Sequence, residues 1–256
     1  MPAATTEAGF RHYDEADRIE VASTRQAFDR YEVRYYFGRR DEPVPGPEAF
    51  LVDLPPGMRA AAHFHPVDQF QVFFGAPGAR YQRHPIGPLL VHYSDAFTTY
   101  GPFSTAAEPA RLWTLRPEAS AFTAYMPEDR ARLTRRGTRT RHVDVEPSAA
   151  TALDVGATAT TYVWPPEADG LAVALLRAGP GGVVDGPASA GAQYYCVLDG
   201  TVLHDGRPYS RRSLGWSGPG QAGPTLAAGP DDGFAVLLLQ FPHQPSVERT
   251  AREDEA

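Results

Sequence analysis

Residues 57–75 read GMRAAAHFHPVDQFQVFFG. His63 and His65 stand one residue apart, bounded by Gly57 and Gly75, ahead of the run QFQVFF. In an extended chain successive side chains point to opposite faces, so residues two apart share one face. His63 and His65 therefore project together. The His65-Pro66 step turns the chain, and a second strand begins at Gln69. On that strand Gln69, Gln71 and Phe73 are predicted to point inward, and Phe70, Val72 and Phe74 outward. Two imidazoles so placed can reach one divalent ion of Zn, Fe, Mn, Ni or Cu, which takes nitrogen ligands at about 2 Å. Gln69 either supplies a neutral third ligand oxygen or is a polar residue hydrogen-bonded inside the fold. The bland alternative is a pair of strand histidines on a solvated face; the small and aromatic neighbours weigh against it.

Working outward, a shift of 124 residues brings two segments together. Pro56-Gly57 falls on Pro180-Gly181, Gln69-Phe70 on Gln193-Tyr194, and QVFF on YCVL. LWTLRP (112–117) resembles LLLQFP (237–242) with one extra residue inserted. Each copy reads as β-structure. The strand-like runs are 30–37, 49–54, 69–74 and 110–117, then 171–178, 193–203 and 233–242, with Asp-Gly turns at 199–200 and 205–206. The expected organisation is a lead segment (1–29), a first β-domain (30–128), a linker (129–157) with a short helix about PEDRARLTRR (127–136), a second β-domain (158–245) and a flexible tail (246–256). Six arginines within 130–141 read as a solvated helix face and linker rather than a phosphate patch, because the flanks are acidic.

The chain has 256 residues, 24 Gly, 25 Pro and a net charge of −7. Heavy Gly and Pro use suits short strands and turns. The acidic balance argues against nucleic acid as a partner. Cys196 is the one cysteine, so no intrachain disulfide forms. No apolar run reaches membrane-spanning length and the first residues do not read as a signal peptide, so a cytoplasmic protein is expected. All 24 basic residues are Arg, with no Lys. That excludes lysine Schiff-base and pyridoxal chemistry and a P-loop. Asn is absent as well, and the composition suggests a GC-rich bacterial genome.

The 57–75 stretch resembles the first motif of cupins, which runs Gly, five residues, His-x-His, three or four residues, Glu, six residues, Gly. Gly57, His63 and His65 match in place, Gln69 stands for the Glu, and Gly75 comes one residue early. With the repeat, the chain resembles a bicupin: all-β, two tandem jelly-roll barrels. The second cupin motif has its counterpart in LLVHYSDAFTTYGPFST (89–105). There Gly101 fits, Thr99 replaces the Pro, Ser104 replaces the usual His, and the Asn is absent. His92 is the substitute third histidine, with His84 a weaker one. In the second copy His63, His65 and His92 fall on Pro187, Ser189 and Trp216, and Gln193 alone survives. That barrel is expected to be metal-free, either structural or a ligand pocket lined by Tyr195 and Trp216.

The resemblance implies one divalent transition metal in the first barrel, iron first, with Mn, Cu, Ni or Zn as the others. The expected ligands are His63, His65, Gln69 and His92, with Tyr100 or Gln71 meeting substrate. A neutral ligand set leaves the ion its full charge, which favours a small anionic or oxygen-rich substrate. Oxygen insertion is the leading reaction type, with isomerisation or lyase chemistry beside it. The rival is a binding or regulatory bicupin without chemistry. Because such barrels often pair through their sheets, a homodimer is a further expectation.

Overall fold

The structure is a computed structural model that describes residues 8–22, 30–38, 46–135, 137, 139–146 and 153–248. It divides into two compact units. Of the described residues, the first holds those of Asp17–Val145 and 245–248, and the second holds 8–16 and those of Glu146–Gln244.

The seven-stranded sheet of the first unit runs Thr140–Asp144, Leu90–Ser94, Gln69–Phe74, Ala110–Arg116, Glu48–Leu54, Arg30–Phe37, Asp17–Ala22, all neighbours antiparallel. A smaller sheet joins Arg59–Ala60, Phe103–Ser104, Arg80–Tyr81 and His84–Pro85. The core lies between them: Val33, Val52, Phe73 and Leu112 from the large sheet pack with Ala60, Tyr81 and Phe103 from the small one. Phe70 and Val72, predicted to point outward, are as buried as the inward residues, because Phe70 packs on Tyr93 at 5.0 Å between ring centroids. Gly57 starts the turn before the histidines at φ +71°, a conformation open to glycine at little cost. Its counterpart Gly181 has the same φ.

The second unit repeats the order: Gly9–Arg11, Leu214–Ser217, Gln193–His204, Phe234–Gln240, Ala172–Ala178, Thr158–Trp164. Three of its strands start 124 residues after those of the first unit, at 172 against 48, 193 against 69, and 234 against 110. The cross-strand partners agree: Arg116 faces Glu48 and Gln240 faces Ala172. The extra residue that the sequence comparison inserted between LWTLRP and LLLQFP is not there: the two strands keep the offset of 124 from start to end. One strand does slip. His92 pairs with Gln71, whereas Trp216 pairs with Tyr194 and Gly215 takes the place beside Tyr195. The counterpart of His92 is therefore Gly215, and Trp216 matches Tyr93. Tyr195 belongs to the core while Trp216 packs, tilted, on Tyr194 at 4.8 Å, so the expected pocket of Tyr195 and Trp216 does not form.

Several segments expected to lie outside the domains carry structure. Asp17–Ala22 and Gly9–Arg11, within the lead segment, are sheet strands. Thr140–Asp144, within the linker, pairs with Leu90–Ser94. The short helix is a single 3-10 turn at Arg130–Arg132. Ser246, placed in the flexible tail, is 3% exposed, and its backbone N–H donates to Asp68 Oδ2 at 2.9 Å. The tail beyond 248 lies outside the described residues. Among the described residues no helix is long and apolar enough to cross a membrane.

Candidate functional site

His63 sits on the two-residue strand His63–Phe64, which pairs with Ala124–Tyr125 and bridges to Tyr100. His65 follows it just past the strand end. Both rings are buried in the first unit, at 8% and 6% exposure, with centroids 5.5 Å apart and planes at 85°. Each is held by Nδ1. His63 Nδ1–H donates to the Ala61 carbonyl at 2.7 Å, and His65 Nδ1–H to the Phe122 carbonyl at 2.9 Å. A carbonyl only accepts, so both protons sit on Nδ1 and both Nε2 atoms present lone pairs. Burial lowers the His63 pKa to about 4, against the carbonyl bond that raises it, with the Arg116 charge lowering it further. The ring is therefore uncharged at neutral pH.

The partner of His65 Nε2 is a cation. Arg116, at the end of Ala110–Arg116, donates from Nη2 to His65 Nε2 at 3.0 Å and from Nε to Gln69 Oε1 at 3.2 Å. Its Nη1 bonds Glu48, directly across the strand pair. Arg116 and Glu48 have side chains 6% and 5% exposed, so this is a buried ion pair. Phe50 lies under the guanidinium, 5.6 Å from ring centroid to Cζ.

His92 is fully buried and sealed at both nitrogens. Nδ1 bonds Gln71 Oε1 at 3.1 Å, and Nε2 bonds the Tyr81 hydroxyl at 2.9 Å and Thr140 Oγ1 at 3.0 Å. Burial first, then the neighbouring histidines, lowers its pKa to about 3. Tyr100 meets His63 edge-on at 4.4 Å and lies near-parallel to His65 at 6.2 Å, and burial pushes its hydroxyl pKa up. His84, the weaker substitute, lies elsewhere, bonded to Asp144 at 3.0 Å.

A cavity of about 500 Å3 opens onto this group. Its walls are Val33, Phe50, Val52 and Leu112; its polar lining includes His63, His65, Gln71, Tyr100, Arg116 and Tyr125. Of the sequence candidates, His63, His65, Gln71 and Tyr100 thus share the cavity. Gln69 stands behind Arg116, and His92 behind Gln71.

The two imidazoles alone fit a metal: ligating histidines commonly tether one nitrogen on a carbonyl and offer the other. The remaining donors do not fit in this arrangement. His65 Nε2 and Gln69 Oε1 are taken by Arg116, and both nitrogens of His92 by Gln71, Tyr81 and Thr140. Among the described residues no group of three or more His, Cys, Asp or Glu could hold an ion. As the side chains stand, the polar atoms of the candidate ligands His92 and Gln69 bond Gln71 and Arg116 instead.

The second unit has none of this charge. Pro187, Ser189, Ala172 and Gln240 stand for His63, His65, Glu48 and Arg116. Gln193 bonds Gln240 at 2.9 Å, a neutral version of the Gln69–Arg116 contact. The Phe10 ring packs against Gly215, where a Cβ would come within 2.5 Å of it, and helps fill the core. Arg116, Glu48 and Tyr125 were missed in the sequence. The signal for Arg116 was an arginine in an apolar strand whose counterpart is Gln240.

No family model matches the chain, and no curated protein matches it. Solved structures do. A candidate dioxygenase from Nostoc punctiforme superposes with a TM-score of 0.61 at 11% identity, over 95% of this chain and 84% of that one. Oxalate decarboxylase from Bacillus subtilis superposes at 0.56 and 11%, over 98% and 84%. A second structure of that enzyme, described for its Mn(II) centres, gives 0.55 and 12%, over 94% and 80%. At these identities the likeness establishes the fold, an all-β cupin jelly roll.

Proposed function

We propose that the first unit captures a small, oxygen-rich organic molecule in its cavity and acts on it there. The observation that carries this reading is the contrast between the copies. Burying an ion pair costs several kcal/mol per ion before the pairing offsets it. One copy folds without Arg116, Glu48 or the histidines, so the other retains them for something besides the fold.

The groups suit proton transfer beside a carbonyl or carboxylate. The Arg116 guanidinium faces a ligand oxygen and stabilises charge that develops on it. His63 Nε2, uncharged, accepts a hydrogen bond or a proton. Tyr100 and Gln71 orient the molecule, and the apolar wall covers its carbon skeleton. This favours isomerisation or lyase chemistry. The likeness to oxalate decarboxylase makes small organic acids the first class to try.

A second reading, oxygenase-type chemistry at a mononuclear ion held by His63 and His65, is favoured by one observation: both Nδ1 atoms are tethered and both Nε2 atoms are presented. It requires Arg116 to leave His65.

The experiment is a panel of small carboxylic, hydroxy and 2-oxo acids, followed by thermal midpoint and by NMR of consumption. It is run with EDTA and, separately, with Fe(II) under air. Consumption in EDTA that is lost in His63→Ala supports the first reading. Consumption only with Fe(II) and oxygen supports the second. A midpoint shift with no consumption leaves a binding protein, and no response to any acid removes the substrate class.

A further inference from the structure

The guanidinium of Arg116 lies where the donors of the first barrel converge. It uses three nitrogens on three different partners: Nε on Gln69, Nη1 on Glu48 and Nη2 on His65. Those partners are an imidazole nitrogen, an amide oxygen and a carboxylate, the donor types a divalent transition ion takes. A metal needs the same lone pair on His65 that Arg116 already engages, and it would stand against a fixed positive charge. The repeat provides an internal control. Where Arg116 becomes Gln240, Glu48 becomes Ala172 and both histidines disappear, so the cation goes together with its carboxylate and its imidazoles, and Gln193 alone of the partners remains.

We propose that Arg116 is the resident cation of this site, a side chain standing where a metal ion would be held, and that it keeps the site from loading divalent metal. A ligand oxygen entering the cavity therefore meets a guanidinium. The proposal rests on the reading that this cavity is the functional site, but its test involves no small-molecule ligand, so the two can fail separately.

Removing Arg116 releases His65 Nε2, Gln69 Oε1 and the Glu48 carboxylate beside His63. The test compares Co(II) binding by the full chain and by Arg116→Ala, using calorimetry, the visible absorption of bound Co(II), and the thermal midpoint with and without the ion. The unaltered chain is expected to bind no stoichiometric Co(II) and to show no midpoint shift. Arg116→Ala is expected to bind one equivalent at least about 100-fold more tightly, with a raised midpoint, because the ion neutralises Glu48. Adding His63→Ala is expected to abolish the gain.

Arg116→Ala leaves a buried carboxylate without its counter-charge, which costs folding stability, so Glu48→Gln/Arg116→Met is measured beside it. That variant removes both charges and keeps His63, His65 and Gln69. One tightly held equivalent in the unaltered chain overturns the proposal, as does a folded variant of either kind that gains no Co(II).

Discussion

At the scale of single residues, the buried pair of Glu48 and Arg116 is a costly feature of the first unit. Glu48→Ala removes the charge opposite a guanidinium that is almost wholly out of water. Breaking one partner of such a pair typically costs about 3–5 kcal/mol. Denaturant unfolding of Glu48→Ala should show a loss of that size, and Glu48→Ala/Arg116→Met should recover most of it. A second prediction concerns His92. Its pKa is about 3 in the fold against 6.5 for the free side chain, so the unfolded chain takes up a proton first as pH falls. The stability this group contributes is complete above pH 6.5 and drains away as pH drops toward 3. Urea midpoints at pH 7 and pH 4.5 should differ less in His92→Gln than in the unaltered chain. An equal difference in both would assign the acid sensitivity to other groups.

At the scale of elements, the strands were legible because alternation and turn glycines report local geometry. The sequence placed 69–74 and 110–117 and put His63 beside His65. It did not show the slip that makes Gly215, and not Trp216, the counterpart of His92, since a one-residue change of register leaves the apolar pattern of a strand intact while exchanging its faces. Arg116 escaped notice for a related reason: an arginine at a strand end reads as surface until the facing strand supplies a buried glutamate. The slip makes its own prediction. A Cβ at Gly215 would come within 2.5 Å of the Phe10 ring. Gly215→Ala should destabilise the second unit, and Phe10→Ala should do so by about 3 kcal/mol through the void it leaves. In combination the two should cost less than their sum, because Phe10→Ala makes room for the new methyl group.

At the scale of the whole molecule, the repeat was visible in the sequence, but the membership of its ends was not. Pairings between residues far apart in the chain leave no local signature. Ser246 closes on Asp68 through its backbone N–H and its hydroxyl, and the same carboxylate accepts the Ala96 N–H at 2.8 Å. Burial raises the Asp68 pKa, with these bonds working against that rise. Ending the chain at Gln244 removes the Ser246 donors from a buried carboxylate. The thermal midpoint should fall, and hydrogen exchange should quicken around Asp68 and Ala96 while the strands of the second unit keep their protection. Unchanged exchange at Ala96 would make the Ser246 contact dispensable.

The exchange of end segments between the units also bears on how the protein is made. A polypeptide leaves the ribosome amino end first, so the edge strand Gly9–Arg11 is waiting long before the sheet it completes has been synthesised. The clasp on Asp68, by contrast, is made from residues translated after the whole of the second unit. The half that is born first is the half that is finished last.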